Sequence, residues 1–215
     1  MKDFRIPVHP EGWPFIAGFL AVSALFGIFW PSLGLFGLAL SSWCIYFFRD
    51  PDRFTPARPG LIVAPADGIV AKIEQVPLPK ELEIGDEVRT RVSIYLNVFD
   101  VHVTRMPAAG AVKKIFYFPG LFLRASLDKA SELNERYATS LELEDGSDLV
   151  VVQIAGLIAR RIKNELAEGK TVERGARFGI IRFGSRVDLY LPKDVEPLVL
   201  EGQRMIGGET VIAGS

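Results

Sequence analysis

The feature that most constrains this chain is a run of 37 residues, from Gly12 to Phe48, that contains no Asp, Glu, Lys or Arg. A helix rises about 1.5 Å per residue, so one helix of this length would far exceed a hydrocarbon core of about 30 Å. Pro31 lies near the middle of the run, where a proline removes a backbone donor and clashes with the preceding turn. The run therefore predicts a helical hairpin, with helices over 13–29 and 33–48.

The hairpin is expected to associate with a membrane. Each predicted helix is at the short end of the length needed to cross a bilayer, so a thin transmembrane hairpin and a re-entrant wedge in one leaflet both remain open. Basic residues flank the run on both sides, which places both flanks on the cytoplasmic face of the cell membrane: they are Lys2 and Arg5 before it and Arg49, Arg53 and Arg58 after it. A signal peptide fits poorly because no small-residue cleavage site follows, and a hairpin buried in a soluble core fits poorly because charge is absent throughout.

Composition excludes several functional classes. With 25 Lys plus Arg against 26 Asp plus Glu, the chain has no net field to hold nucleic acid. The single cysteine, Cys44, excludes an intramolecular disulfide and any multi-cysteine zinc site. Two histidines, His9 and His102, leave little room for a histidine-rich metal site, and we expect no metal.

After Phe48 the composition changes abruptly, which divides the chain into a segment 1–48 and a domain 49–215. Short apolar runs between turn residues in this domain predict strands over 61–63, 69–73, 92–98, 140–144, 149–154, 178–181, 187–191, 196–200 and 210–213. Helical spacing of apolar residues predicts one short helix over 121–138. The expected fold class is mainly β (α+β): a helical membrane hairpin followed by a β-sandwich or barrel-like domain with one or two short helices.

Three polar positions in the β domain are candidates for a catalytic site. Gly184-Ser185 interrupts an otherwise continuous β run, His102 is the only histidine of the domain, and Asp67 lies on a predicted turn. Serine, histidine and aspartate together can activate a hydroxyl, whatever their order in the chain. Asp100 is a second candidate to orient His102, since residues two apart on a strand face the same side.

Several short motifs, in order along almost the whole chain, resemble the phosphatidylserine decarboxylase family in its short prokaryotic form. They are Glu11-Gly12-Trp13-Pro14, Phe47-Phe48-Arg49-Asp50-Pro51, Pro65-Ala66-Asp67-Gly68, Asp100-Val101-His102-Val103, Asn134-Glu135-Arg136 and Phe183-Gly184-Ser185. No single motif is specific, but the ordered set is.

The resemblance implies a proenzyme that cuts itself between Gly184 and Ser185, giving a β chain 1–184 and an α chain 185–215 that form a heterodimer, with further homo-oligomerisation open. The serine would become an N-terminal pyruvoyl group, the cofactor of the family. The substrate amine would form a Schiff base with it, and phosphatidylserine would lose carbon dioxide to give phosphatidylethanolamine in phospholipid biosynthesis. His102, with its near-neutral pKa, is the expected base for the serine hydroxyl, and Asp67 the expected orienter of its ring.

The sequence departs from the family in one place and leaves alternatives open. Long-form members carry two histidines before Met-Pro, whereas here Arg105 stands before Met106, so His102 alone would serve self-cleavage, decarboxylation or both. An ether-lipid (archaetidylserine-type) substrate has the same reacting groups, and some glycine turns resemble non-catalytic biotinyl or lipoyl modules. Candidates for the lipid phosphate are Arg160, Arg161 and Arg186.

Overall fold

The computed structural model describes residues 7–85, 87–120, 134–156, 161–182 and 185–214. The chain divides into two compact units, residues 1–52 and residues 53–215.

The first unit is a pair of antiparallel helices. A 3-10 turn, Pro10–Gly12, leads into α1 (Trp13–Gly27), and α2 (Pro31–Phe47) follows. The prediction of a helical hairpin is confirmed, although Pro31 begins the second helix instead of separating the two, because its missing N–H costs nothing at a first helical position. No helix within the described residues is long and apolar enough to cross a bilayer.

Small residues let the two helices approach closely. A Cβ placed on Gly34 would lie 2.7 Å from the Cα of Gly27, and the Ser23 hydroxyl donates a hydrogen bond to the Gly34 carbonyl at 2.6 Å. Much of the remaining surface is apolar and exposed, with the largest exposed fractions at Ile28 (76%) and Leu35 (69%). The base of the hairpin is closed by backbone bonds from His9 to Phe48 and from Asp50 to Pro7.

The second unit is mainly β, as predicted. Its strands are β1 (Leu61–Val63), β2 (Gly68–Pro77), β3 (Val88–Leu96), β4 (Val103–Arg105), β5 (Gly110–Phe118), β6 (Arg136–Glu142), β7 (Asp148–Ala155), β8 (Ile162–Asn164), β9 (Thr171–Val172), β10 (Arg177–Ile181), β11 (Ser185–Tyr190), β12 (Arg204–Met205) and β13 (Val211–Gly214), with a 3-10 turn at Lys80–Leu82.

These strands form three sheets around a main core. An eight-stranded sheet runs in the order β12-β2-β3-β11-β7-β6-β5-β9, a three-stranded sheet in the order β4-β10-β8, and β1 pairs with β13. The main core cluster draws on all three sheets, with Val187 from β11, Phe178 from β10 and Ile212 from β13. One face of the large sheet is therefore packed against the two smaller sheets, in the manner of a curled sandwich.

Two predictions of local structure are wrong. Residues 196–200 form no strand: Pro197 has no N–H to donate, and Leu198 and Leu200 are 67% and 75% exposed. Most of the predicted helix over 121–138 lies outside the described residues, but its last three residues belong to β6. The hairpin predicted from 140–144 and 149–154 is confirmed by β6 and β7, which pair in antiparallel register around Gly146.

Candidate active site

Ser185 begins the central strand of the large sheet. It is opposite Leu96 on β3 and Ala155 on β7, and it is fully buried. Its Oγ has no hydrogen-bond partner among the residues that the structure describes. Ser93, Thr139 and Ser140 also carry buried hydroxyls without a described partner, but each lies inside a strand, whereas Ser185 follows directly on the connection from β10. Phe183 and Gly184, and with them the predicted cleavage bond, lie outside the described residues.

His102 lies at the end of the connection between β3 and β4 and is fully buried. Its ring Nδ1 is 3.0 Å from the backbone carbonyl oxygen of Asp100. A carbonyl oxygen only accepts hydrogen bonds, so Nδ1 carries the proton in the neutral ring and Nε2 is the basic nitrogen. The backbone contact thus favours the Nδ1–H tautomer of His102.

Sheet topology brings the His102 segment and the Ser185 segment together. Strand β3 pairs with β11 in the large sheet, and β4 pairs with β10 in the three-stranded sheet. The chain passes from β3 to β4 through residues 97–102, and β10 directly precedes β11 in the chain. Each of these two segments therefore joins one strand of the first pair to one strand of the second. The amide of Ile181, at the end of β10, donates to the carbonyl of His102 at 3.2 Å, which ties the end of β10 to the His102 segment.

Asp67 lies on the turn between β1 and β2, where its carboxylate is held by two groups. Arg53 donates to both oxygens, at 3.0 and 2.8 Å, and the amide of Gly207 donates to Oδ1 at 2.8 Å. Gly207 packs directly on the turn: a Cβ there would lie 3.0 Å from backbone atoms of Ala66. The contacts described for the Asp67 carboxylate are thus with Arg53 and Gly207, and its predicted role as orienter of His102 stays a prediction.

Burial raises the pKa of Asp67, and the negative charge of Asp100 raises it further, while Arg53 and the Gly207 amide oppose the change. The two carboxylates are therefore close enough to interact, and each has its own arginine. Arg204 donates to Oδ1 of Asp100 at 2.6 Å, and the amide of Asn97 donates to Oδ2 at 2.9 Å. The buried Asp100 side chain thereby closes the start of the connection that ends at His102, and its own carbonyl holds the His102 ring.

The Asn134-Glu135 motif supports Ser185 from the other side. Asn134 donates its side-chain amide to the carbonyl of Ala155, and the amide of Ala155 donates to the carbonyl of Glu135. Because Ala155 is the β7 partner of Ser185, this motif fixes the end of β7 beside Ser185. Glu135 is itself buried, and this burial raises the pKa of its carboxyl.

The remaining predicted positions have other partners where the structure describes them. Arg186 pairs with Asp188, and alternation along β11 puts both on the face opposite Ser185, Val187 and Leu189. Arg161 is exposed, and Arg160 lies outside the described residues. Arg105, which stands where long-form members carry their second histidine, is buried and donates to the carbonyl of Gly175 at 3.0 Å.

Three residues that hold the Asp67 or Asp100 carboxylate were not predicted from the sequence. They are Arg53, Asn97 and Arg204. Arginine and asparagine are common surface residues, and no spacing in the sequence links them to Asp67 or Asp100. Only the pairing of β12 with β2 brings Arg204 next to Asp100. Within the described ranges no three His, Cys, Asp or Glu side chains are grouped so as to hold a metal ion.

Comparison with known proteins identifies relatives along the whole chain. The sequence model described as phosphatidylserine decarboxylase matches residues 40–213. A phosphatidylserine decarboxylase proenzyme of Ruegeria pomeroyi is 53% identical over 99% of this chain and 98% of the relative. Proenzymes of the same name from Paramagnetospirillum magneticum and Granulibacter bethesdensis are 52% and 56% identical, each over 99% of this chain and over 88% and 87% of their own lengths.

Proposed function

Because the chain belongs to the phosphatidylserine decarboxylase family, it decarboxylates phosphatidylserine to phosphatidylethanolamine, and we propose that it does so with a pyruvoyl group that it makes from Ser185. The observation that carries the proposal is the fully buried Oγ of Ser185, which has no partner in the described part of the chain. A buried hydroxyl without a hydrogen bond costs free energy, so its retention is explained if the hydroxyl is a reactant.

Self-cleavage would begin with attack of the Ser185 Oγ on the carbonyl carbon of Gly184. The basic Nε2 of His102 would take the hydroxyl proton and return it to the amide nitrogen of Ser185 as the C–N bond breaks, leaving an ester. Removal of the Ser185 Cα proton would then expel the Gly184 carboxylate and leave dehydroalanine. Addition of water and loss of ammonia would complete the conversion to pyruvoyl.

The residues around Ser185 fit such a group. Position 185 is enclosed by β3 and β7, so the new N-terminus would be held in place by the sheet on both sides. When present, the pyruvoyl group supplies an electrophilic carbonyl that accepts the substrate amine and takes up the electrons of the breaking carbon–carboxylate bond. We assign to His102 the return of a proton to the substrate carbon after carbon dioxide leaves.

Cleavage at this position would not release the smaller chain. Residues 185–215 contribute β11 to the centre of the large sheet, where all six of its residues pair with both neighbours. They also contribute β12, which pairs with β2, and β13, which pairs with β1. The two chains would therefore stay associated as a heterodimer through backbone hydrogen bonds and the shared core.

We assign the helical hairpin of residues 1–52 to the cytoplasmic face of the cell membrane. The support is its uncharged run of 37 residues and its exposed apolar surface, including Ile28, Phe29, Leu35 and Phe36. Such a surface is unfavourable in water and favourable against acyl chains. Basic residues on both flanks set the orientation.

Intact-mass spectrometry of the full chain in detergent tests the proposed chemistry. We expect two chains, 1–184 and 185–215, with the smaller one lighter by one ammonia than a peptide beginning with serine. Ser185→Ala should remain one chain and form no phosphatidylethanolamine. Ser93→Ala is the matched control, because it removes another buried hydroxyl without a described partner, and it should be cut normally. An uncut wild-type chain that still decarboxylates lipid would refute the proposal.

A further inference from the structure

Three exposed apolar side chains adjoin in sequence the charged cluster beside His102, which consists of Asp67 and Asp100 with Arg53, Arg204 and Gly207 that hold them. Phe54, Phe99 and Ile206 are 76%, 60% and 39% exposed. Each is the sequence neighbour of a residue in the cluster: Phe54 follows Arg53, Phe99 precedes Asp100, and Ile206 precedes Gly207. We refer to these three side chains as the apolar rim.

Further exposed residues continue the apolar rim along the large sheet. Ile69 on β2 pairs with Arg204 on β12 and with Tyr95 on β3, so the three form one row across the strands. Ile69 is 40% exposed and Tyr95 is 37% exposed, and the side chain of Arg204 is 62% exposed while its guanidinium contacts Asp100. The surface next to the cluster therefore combines aliphatic and aromatic groups with the accessible guanidinium of Arg204.

We propose that the apolar rim is a second membrane-contacting surface, carried by the catalytic unit itself, and that its partner is a phospholipid bilayer. The inference rests on the proposed function, in which Ser185 is the reacting centre. The substrate's acyl chains must stay in an apolar phase while its head group reaches that centre, since exposing alkyl chains to water costs about 0.8 kcal/mol per CH₂. Apolar side chains around a site of this kind supply that phase. Around a site for a water-soluble substrate, the same side chains would only add the free-energy cost of their exposure to water.

The residue types match an interfacial surface. Phenylalanine and isoleucine enter the boundary between head groups and acyl chains, and tyrosine prefers the head-group level. The guanidinium of Arg204 adds a donor for lipid phosphate oxygens. The position of the apolar rim, beside Asp100 and the connection that holds His102, delivers the head group toward the active site.

Site-specific labelling of the full chain tests this contact directly. Cys44 is the only cysteine, so Cys44→Ala combined with Phe99→Cys gives a single attachment point for an environment-sensitive fluorophore. Val88→Cys in the same background is the matched control, because Val88 is 58% exposed at the opposite end of β3. In vesicles of phosphatidylcholine and phosphatidylglycerol with brominated acyl chains, the label at 99 should be quenched about fivefold more than the label at 88. Equal quenching at the two positions would overturn the proposal.

Turnover gives an independent readout. For the Phe99→Ser, Ile206→Ser double variant, we expect the ratio of activity on vesicle phosphatidylserine to activity on dihexanoyl phosphatidylserine to fall about tenfold. Val88→Ser should leave this ratio as in the wild type, and an unchanged ratio in the double variant would refute a role in lipid access. If the wild type decarboxylates neither substrate, the proposed function fails, and the quenching comparison still decides whether the apolar rim meets lipid.

Discussion

Replacing Arg204 by Gln should slow self-cleavage without unfolding the protein. Arg204 donates to the fully buried carboxylate of Asp100 at 2.6 Å, and Asp100 holds both the start of the 97–102 connection and, through its carbonyl, the ring of His102. Arg204 is thus a positioning residue that acts through Asp100. Because most of its side chain is exposed, the substitution removes little packing.

The magnitude follows from the contact. A hydrogen bond to a charged group contributes about 1.5–3 kcal/mol. Because the arginine is exposed, solvent screens the interaction, and we take about 1 kcal/mol as the interaction free energy that Arg204→Gln removes. If that free energy is lost in the transition state for cleavage, the rate falls about fivefold. Arg204→Lys keeps the charge and should recover most of the rate.

The assay is a time course of full-length chain disappearing into two bands after synthesis. Lys113→Gln is the control: Lys113 also makes an exposed ion pair, with Glu142 at 2.8 Å, but on β5 and β6. It should cut at the wild-type rate. The reasoning is wrong if Arg204→Gln cuts as fast as Lys113→Gln, or if its rate falls only in step with a loss of thermal stability.

Histidine NMR separates positioning from a general structural role. The chain has two histidines, so a His9→Gln, Ser185→Ala background leaves His102 as the only labelled ring in an uncut chain. With Arg204 present, we expect the ring nitrogen chemical shifts of His102 to be those of the Nδ1–H tautomer. In Arg204→Gln we expect shifts that indicate a mixture of the two tautomers. Identical shifts in both would show that Arg204 has no influence on the ring.

Three further predictions concern the candidate active site and the hairpin. His102→Ala should accumulate uncut chain, or cut but inactive enzyme, on gels and in a decarboxylation assay, and normal activity would remove His102 from the mechanism. Asp67→Asn should slow cleavage more than it alters folding. Burial raises the pKa of Asp67, so the wild type loses stability relative to the variant as pH rises through that pKa. Urea unfolding of both proteins over a pH series measures this, and a variant that loses stability relative to the wild type as pH rises would contradict the sign. Deleting residues 1–48 should reduce turnover of vesicle phosphatidylserine far more than turnover of a short-chain analogue, and equal turnover on vesicles would show that the hairpin has no part in substrate access.

The sequence was sufficient wherever the signal was local. An uncharged run broken by a proline predicted two packed helices, and turn residues between β-prone runs predicted the β6–β7 hairpin. Strand β5 was missed because a bulge between Val112 and Lys114 breaks the alternation of apolar and polar residues. The strand predicted over 196–200 was wrong because an apolar alternation alone does not reveal that Pro197 removes a donor and that both leucines face solvent.

For the site, the sequence by itself determined which residue types were available: one histidine in the β domain, a serine after a glycine, and a turn aspartate, in the order of a known family. The tertiary structure decided which of them meet. It placed His102 directly before β4 and Ser185 at the start of β11, in segments that the β3–β11 and β4–β10 pairings bring together, and it gave Asp67 and Asp100 separate arginines. The physical reason is that side-chain chemistry is a local property of the chain, whereas the partners of a buried charge are set by strand pairing between segments that are distant in sequence and so leave no spacing to read.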